Sequence, residues 1–359
     1  MAYRDRECQA SSRPWLCTVP GMEMLENQVD RIAVETGFDG AVRVDRDENV
    51  ELAKAYGMAH RGLQIANTID TQFAIASGVK GMTALAVVSL IVDGALELST
   101  PARAMLGDDL ALIDDAVTIE HLLSHRSGIG DYLDEDAPRD ISTYAMPVPV
   151  HELADTEQYL AALDGHPAKF KPGTDFSYCN GGFVVLALIA ERISGLTFHE
   201  LVQARVCEPA GMSDSAFLRS DELPGRAALG YVEADGVIRS NVFHLPVRGN
   251  GDGGIYSTVA DIRRLWMAFF GGKIVPDEWV AEMVRPRSVA SENERYGLGF
   301  WLAGSGDAVR LEGYDAGVSF RTWHHPRSRL THTVISNTSD GAWPVTRALY
   351  ERLSVDESS

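Results

Sequence analysis

The pattern of hydrophobic and polar positions predicts a hairpin followed by a buried helix in the first third of this 359-residue chain. Residues 38–59 form two runs with strand-like alternation on either side of the polar turn at 45–49. In residues 78–96, Ala, Val, Leu and Ile recur at helical spacing and leave little polar surface on any side. Because a helix that is apolar all round is buried, we expect this one at the centre of the molecule.

The pattern changes twice more along the chain. Between 99 and 224 it favours helices, the clearest being residues 119–125 and residues 181–193, each stopped by a Ser-Gly pair. After 225, glycine-rich turns separate short apolar runs that are typical of antiparallel strands. The predicted elements there are strands at 297–303, 319–323 and 330–336, a helix containing Trp266, Phe269 and Phe270, and a closing helix at 343–353.

This order of elements predicts an α+β fold in which a sheet lobe is interrupted by a helical lobe. We assign residues 22–98 and 225–359 to a discontinuous sheet lobe, 99–224 to a mainly helical lobe and 1–21 to an N-terminal extension.

Composition narrows the possible partners. The chain has 32 Lys and Arg against 51 Asp and Glu, a net charge of -19, which disfavours nucleic acid and anionic membranes. No apolar run approaches the roughly 18 residues of a membrane span, and the first 20 residues lack the apolar core of a secretion signal. The four cysteines have no metal-finger spacing. We therefore expect a cytoplasmic protein with reduced thiols, acting on a small molecule; its oligomeric state stays open.

The first candidate for chemistry is the pair Ser77 and Lys80, where the predicted hairpin leads into the buried helix. Residues three apart share one helix face, so the ammonium would stand beside the hydroxyl. Burial weakens the hold of an ammonium on its proton, and the helix N-terminus favours developing negative charge. A capping serine with an extended lysine would give the same sequence, so this pair alone is a weak signal.

The second candidate is Tyr178 with Asn180, at the start of the predicted helix 181–193. A tyrosine whose pKa is lowered by a nearby lysine can carry protons, and an asparagine can hold a substrate carbonyl. The alternative is a turn tyrosine beside a capping asparagine.

Together these motifs resemble the serine β-lactamase and penicillin-recognising superfamily, in the branch of class C β-lactamases, D-alanyl-D-alanine carboxypeptidases and esterases. Residues 122–128 (LLSHRSG) and 253–258 (GGIYST) also resemble segments of that branch, in the same order. The resemblance covers the chain from about residue 37 onward. It implies a β-lactamase-like antiparallel sheet flanked by helices, Ser77 as the acylated nucleophile, Lys80 and Tyr178 as bases, and Asn180 as a substrate contact.

The third motif of that family, Lys-Thr-Gly or His-x-Gly, is altered here. We align it with Leu311, Glu312 and Gly313, and we predict that these residues and Tyr314 bind the substrate. The backbone N–H of Tyr314 would then join the Ser77 N–H in the oxyanion hole. A second register uses residues 314–316. In both, the cation that holds a substrate carboxylate is missing, and Glu312 would repel an anion if it faced the cleft.

We therefore predict a serine hydrolase of neutral or cationic esters and amides, most simply an esterase that needs no metal or other cofactor. A D-amino-acid peptidase or amidase, a β-lactamase, an acyltransferase and a non-catalytic binding homologue stay open. Specificity is expected in loops 131–147 and 218–246.

Two further motifs are weaker. Residues 249–254 match the Gly-x-Gly-x-x-Gly pattern of dinucleotide sites, but no βαβ unit surrounds them. His121 and His125 lie one helical turn apart and lack a third metal ligand, so we favour backbone-bonding histidines at a helix end.

Overall fold

The computed structural model describes residues 20–137 and 140–357. Most of the predicted extension 1–21, with Cys8 and Cys17, lies outside those ranges. The other two cysteines, Cys179 and Cys207, are buried free thiols.

Within these ranges the chain begins with a helix and then alternates between strands and helices. The strands are β1 (Gly40–Arg46), β2 (Asn49–Tyr56), β3 (Met58–His60), β4 (Ile65–Ala66), β5 (Phe73–Ala74), β6 (Tyr231–Ala234), β7 (Val237–Ser240), β8 (Tyr256–Ser257), β9 (Ser288–Ser291), β10 (Glu294–Tyr296), β11 (Trp301–Ala303), β12 (Val309–Asp315), β13 (Val318–His325) and β14 (Leu330–Ser336). The α-helices are α1 (Pro20–Thr36), α2 (Val79–Val92), α3 (Arg103–Leu106), α4 (Ile119–Leu123), α5 (Leu160–Leu163), α6 (Asn180–Ser194), α7 (Phe198–Val202), α8 (Glu208–Ala210), α9 (Val259–Phe270), α10 (Asp277–Met283) and α11 (Ala342–Glu357).

The main sheet has eight antiparallel strands in the order β2-β1-β14-β13-β12-β11-β10-β9. This confirms the predicted α+β class and the hairpin, which is β1 and β2. The pairing also joins the start of the chain to its end, because β1 pairs with β14 from Gly40 opposite Ser336 to Arg46 opposite Leu330.

Helices cover both faces of this sheet. Ile335 of β14 belongs to the large core with α2 and α9, whereas its neighbour Val334 packs with α1 and α11. Successive residues of a strand point to opposite faces, so a strand buried on both sides has no polar face. This explains why β14 is buried over its whole length.

Helix α2 is the buried helix that the pattern predicted, although it ends at Val92 rather than near residue 96. Every residue from Val79 to Leu90 is buried. The helix lies close to β12, since a Cβ added at Gly81 would come within 2.7 Å of Leu311 Cδ2. Glycine at 81 thus lets the helix approach the strand that carries the third motif.

The segment from 99 to 224 contains α3 to α8 and no named strand among its described residues. The assignment of this segment and of 22–98 with 225–359 to separate lobes stays a prediction. In the described part of the chain no single helix is long and apolar enough to cross a membrane, and one bent pair, α6 with Phe198–Ala210, passes that test by length and composition alone.

Candidate active site

Ser77 lies in a short 3₁₀ turn, Ala76–Gly78, that leads directly into α2. The turn is held under strain, because Ala76 has a φ of 44°, which costs an L-residue on the order of 1 kcal/mol. Ile75, the residue before this turn, is held by the segment that leads into β8, because its N–H donates to the Ile255 carbonyl oxygen at 3.0 Å. The site therefore begins where the chain is positioned by its neighbours.

Lys80 lies beside Ser77, as the helical spacing predicted. Its Nζ donates to Ser77 Oγ at 2.9 Å, to Asn180 Oδ1 at 2.8 Å and to the Asp252 carbonyl oxygen at 2.7 Å. The residue is 1% exposed. Burial lowers the pKa of the Lys80 ammonium, while the charges of Asp252, Glu135 and Asp131 oppose that shift. A group in this setting can change its protonation during a reaction.

Tyr178 completes the group around the hydroxyl. It hydrogen-bonds Ser77, its ring lies 4.9 Å from Lys80 Nζ, and it stacks on Trp301 at 5.8 Å. The expected lowering of the tyrosine pKa is wrong: burial, helped by the charge of Glu135, raises the pKa of Tyr178 well above its usual value. The phenol is therefore held neutral, and the lysine is the better base.

Asn180 is placed by the N-terminus of α6. Its Nδ2 donates to the Leu133 carbonyl at 2.9 Å and to Glu135 at 3.1 Å, which leaves Oδ1 turned to Lys80. The Asp131 carboxylate accepts the N–H groups of Asn180 at 2.6 Å and Gly181 at 2.9 Å. Burial raises the pKa of Asp131 to about 6 in spite of these bonds. Sequence reasoning missed this cap, which acts across 49 residues.

Gly313 of β12 lies against the Ser77 turn. A Cβ added there would be 2.1 Å from the Ile75 carbonyl oxygen and 3.0 Å from Ser77 N. Only glycine permits this approach, which favours the register that we preferred for the third motif. Tyr314 follows at the wall of the neighbouring pocket.

Two residues of that motif lie away from the pocket, so their assignment as substrate contacts is not supported. Leu311 is 2% exposed and packs against α2. The Glu312 carboxylate pairs with Arg321 and lies 3.6 Å from Arg310 Nε. Because residues alternate along β12, Glu312 points to the face of the sheet opposite Gly313.

A cavity of about 390 Å³ opens beside Ser77. Both predicted specificity loops contribute to its wall, which is mostly apolar and aromatic. Its lining includes Ser77, Tyr132, Leu133, Glu135, Tyr144, Met146, Tyr159, Asn180, Leu218, His244, Leu245, Asp252, Tyr256, Tyr314 and Asp315.

Three acidic residues of this wall, Glu135, Asp252 and Asp315, were not among the predicted site residues. Asp252 lies within the 249–254 segment, which we had considered only as a weak dinucleotide motif. Burial raises the pKa of Asp252, and it raises that of Asp315 to about 7. These residues are brought to the pocket by the tertiary fold, so the local sequence around each of them gave no signal of a site.

The two motif histidines bind backbone groups. His121 Nδ1 accepts the Thr118 N–H at 3.3 Å, and His125 Nδ1 accepts the Cys179 N–H at 3.0 Å. His125 also lies against the Tyr178 ring, 4.3 Å between centroids. Among residues 20–137 and 140–357, no three His, Cys, Asp or Glu side chains lie close enough together to hold a metal ion.

Comparison with known proteins gives a consistent result. The sequence profile of the Beta-lactamase family matches residues 25–357. The esterase EstB of Burkholderia gladioli is 28% identical over 307 residues, which cover 77% of each chain. A D-aminopeptidase of Brucella anthropi is 27% identical over 311 residues, 85% of this chain and 57% of the relative.

A solved structure shares the fold over nearly the whole molecule. The penicillin-binding protein from Bacillus halodurans superposes with a TM-score of 0.86 at 33% identity, covering 90% of this chain and 99% of the other. Several curated relatives are longer, and the chain spans less than two thirds of their length.

Proposed function

The chain belongs to the beta-lactamase family, whose members are serine hydrolases, and on that basis we propose that it cleaves carboxylic esters through an acyl-enzyme on Ser77. One observation supports this most strongly: the hydroxyl of Ser77 and the amine of Lys80 are 2.9 Å apart in a buried site. The solvent-poor setting favours the neutral amine that a general base requires.

In the proposed acylation, Lys80 takes the hydroxyl proton while Ser77 Oγ bonds to the scissile carbonyl carbon. The oxyanion of the tetrahedral intermediate is held by the backbone N–H groups of Ser77 and Tyr314. Tyr178, as a neutral phenol hydrogen-bonded to Ser77, passes a proton to the departing alcohol oxygen. The ester bond then breaks, and the alcohol leaves with that proton. The proton held by Lys80 passes to the Tyr178 phenolate, which restores the neutral amine and the neutral phenol.

In the proposed deacylation, water replaces the alcohol and attacks the acyl carbon. Lys80 receives the water proton, and Tyr178 gives its proton to the Ser77 oxygen, which leaves as the hydroxyl when its bond to the acyl carbon breaks. Lys80 keeps its bonds to Asn180 and Asp252 throughout, so its amine stays in place for this second step. The acceptor defines the outcome: an alcohol or amine in place of water would make the enzyme an acyltransferase.

The pocket favours esters over β-lactams. Among the described lining residues there is no lysine or arginine to bind the carboxylate of a β-lactam or of a peptide C-terminus. The motif position that carries this cation in the family is occupied by Leu311, which is buried against α2. We therefore place β-lactam hydrolysis below ester hydrolysis.

A second candidate function is a peptidase or amidase that acts on substrates with a free amine, including D-amino-acid amides. The acidic side chains of Asp252 and Asp315 in the pocket wall favour it. A non-catalytic binding homologue would not need the arrangement of Ser77, Lys80 and Tyr178 around one hydroxyl.

The test is intact-mass spectrometry during turnover of p-nitrophenyl butyrate, beside the variant Ser77→Ala. We expect nitrophenol release by the wild type, an added butyryl mass on it, and loss of both in the variant. Equal release by the two proteins with no adduct, and no adduct from nitrocefin, would overturn the proposed reaction. A tryptic map locates the adduct, which belongs on the peptide that contains Ser77.

A further inference from the structure

We propose that the pocket beside Ser77 takes an ester or amide that carries an ammonium group near the scissile carbonyl, and that Asp315 and Asp252 recognise this cation. The inference rests on the proposed function, because it specifies the substrate of the same site.

Asp315 is placed by the register of β12. It lies two residues after Gly313 and therefore on the same side of the strand, the side that faces the Ser77 turn. One carboxylate oxygen accepts the Ala316 N–H at 2.9 Å, and the residue lines the cavity. A charge at this position lies close to the oxyanion site, where it can contact groups next to a bound carbonyl.

Asp252 reaches the cavity from the turn that precedes β8. It is 8% exposed, its carboxylate accepts the Tyr132 hydroxyl, and its backbone oxygen holds Lys80. The charge of Asp252 adds to burial in raising the pKa of Asp315. The two carboxylates therefore repel each other across the pocket, and a cation between them would relieve that repulsion.

The rest of the wall suits an organic cation. Within the described ranges no lysine or arginine lines the cavity, and the charge of Lys80, which lies outside that lining, offsets only part of the effect of burial on the two acids. Tyr132, Tyr159 and Tyr256 contribute aromatic faces, which attract ammonium groups, and leucine and methionine side chains supply apolar surface. The volume of about 390 Å³ is that of a small-molecule site.

The experiment uses two pairs of isosteric esters that differ only in charge. Betaine methyl ester and methyl 3,3-dimethylbutanoate place a permanent cation or a neutral group on the acyl side. Butyrylcholine and 3,3-dimethylbutyl butyrate do the same on the alcohol side. The measured quantity is the ratio of kcat/KM for the charged ester to that for the neutral ester.

The ratio is compared in wild type, Asp315→Asn, Asp252→Asn and Asp108→Asn, the last an exposed acid away from the pocket. We expect the ratio for at least one pair to fall tenfold or more in both pocket variants and to be unchanged in Asp108→Asn. The pair that responds identifies the side of the ester bond on which the cation lies. A ratio that stays at the control value in both pocket variants, for both pairs, would overturn the proposal.

Binding to the Ser77→Ala protein separates this inference from the proposed reaction. Calorimetry on Ser77→Ala should show tighter binding of the charged ester, and adding Asp315→Asn should remove that preference. If wild type forms no acyl adduct but this preference is found, the ester-hydrolase proposal fails and the cation site stands. If esters are hydrolysed but the charged ester is preferred neither in kcat/KM nor in binding, the cation site fails and the ester-hydrolase proposal stands.

Discussion

At the scale of single residues, the candidate site depends on contacts too close for ordinary side chains. The Ser77 turn and strand β12 meet at Gly313, where a methyl group would overlap the Ile75 carbonyl oxygen. Tyr314, whose N–H is predicted to complete the oxyanion hole with that of Ser77, follows Gly313 on the strand and takes its position from this contact. Small displacements here would change both the reactivity of the serine and the pocket.

Gly313→Ala should therefore lower kcat/KM for p-nitrophenyl butyrate at least 100-fold. The added Cβ lies 2.1 Å from the Ile75 oxygen, so the strand must move, and overpacking of this kind costs about 1–3 kcal/mol of stability. Steady-state kinetics and a thermal melt measure the two effects.

Gly225→Ala is the matched control, because a Cβ at that position meets nothing within 4 Å. It should leave both measurements at wild-type values. Wild-type kinetics in Gly313→Ala would show that β12 does not set the geometry of the serine.

Contacts between residues close in sequence could be predicted for this site, whereas contacts between distant segments could not. Ser77 and Lys80 were predicted to meet because helical spacing dictates it, whereas Asp252 stands 172 residues from Lys80. The sequence of β12 alone does not show which face of the strand is turned toward the cleft. Glu312 was therefore predicted to bind the substrate, whereas in the structure it pairs with Arg321. Side-chain contact between distant segments is a property of the assembled sheet.

At the scale of elements, two helix N-termini meet at the candidate site. α2 presents Ser77 and α6 presents Asn180, and each start is fixed by a partner from elsewhere in the chain. For α6 that partner is Asp131, which accepts N–H groups that the helix itself leaves unbonded.

Asp131→Ala should destabilise the protein by about 1–3 kcal/mol, because it leaves buried N–H groups without acceptors. Activity should fall about tenfold as Asn180 loses its fixed position. Urea unfolding and kcat measure these changes.

Asp131→Asn keeps one acceptor oxygen and should lie between wild type and Asp131→Ala in both measurements. Asp108→Ala removes an exposed acid and should change neither. Full activity in Asp131→Ala would mean that Asn180 is held by Leu133 and Glu135 alone.

Strongly periodic elements were predicted well and irregular ones were not. α2, α6 and β14 were anticipated because burial on all sides gives long apolar runs. The strand expected at 297–303 begins only at Trp301, since Gly299 adopts a φ of 87° and the chain turns there. Tertiary packing decides such ends.

At the scale of the whole molecule, a chain of net charge -19 still withdraws some carboxylates from solvent, with Asp131 buried and Asp315 half-buried. Burial raises the pKa of Asp131 to about 6 and that of Asp315 to about 7. Between the unfolded value near 3.8 and the folded value, the folded state binds more protons, so each group makes folding less favourable as pH rises through that window. Buried histidines such as His332, with a lowered pKa, act in the opposite sense.

Comparison with a variant isolates one carboxylate from these opposing effects. Asp315→Asn cannot ionise, so its Tm relative to wild type should increase steadily from pH 4 to pH 7 and level off above that. Differential scanning calorimetry at matched ionic strength measures this difference. Asp108→Asn should give a constant offset, and a constant offset in Asp315→Asn would show that its carboxyl titrates normally.

The three acceptors of Lys80 belong to residues 77, 180 and 252, segments that the ribosome delivers at widely separated times. Before the last of them docks, the ammonium is hydrated and keeps its proton, and Ser77 is as unreactive as any other serine. On the proposed mechanism, a nascent or partly unfolded chain thus carries no active nucleophile. If Ser77 and Lys80 act as proposed, the burial of one lysine would withhold activity until the chain has folded, and activity would then report that folding is complete.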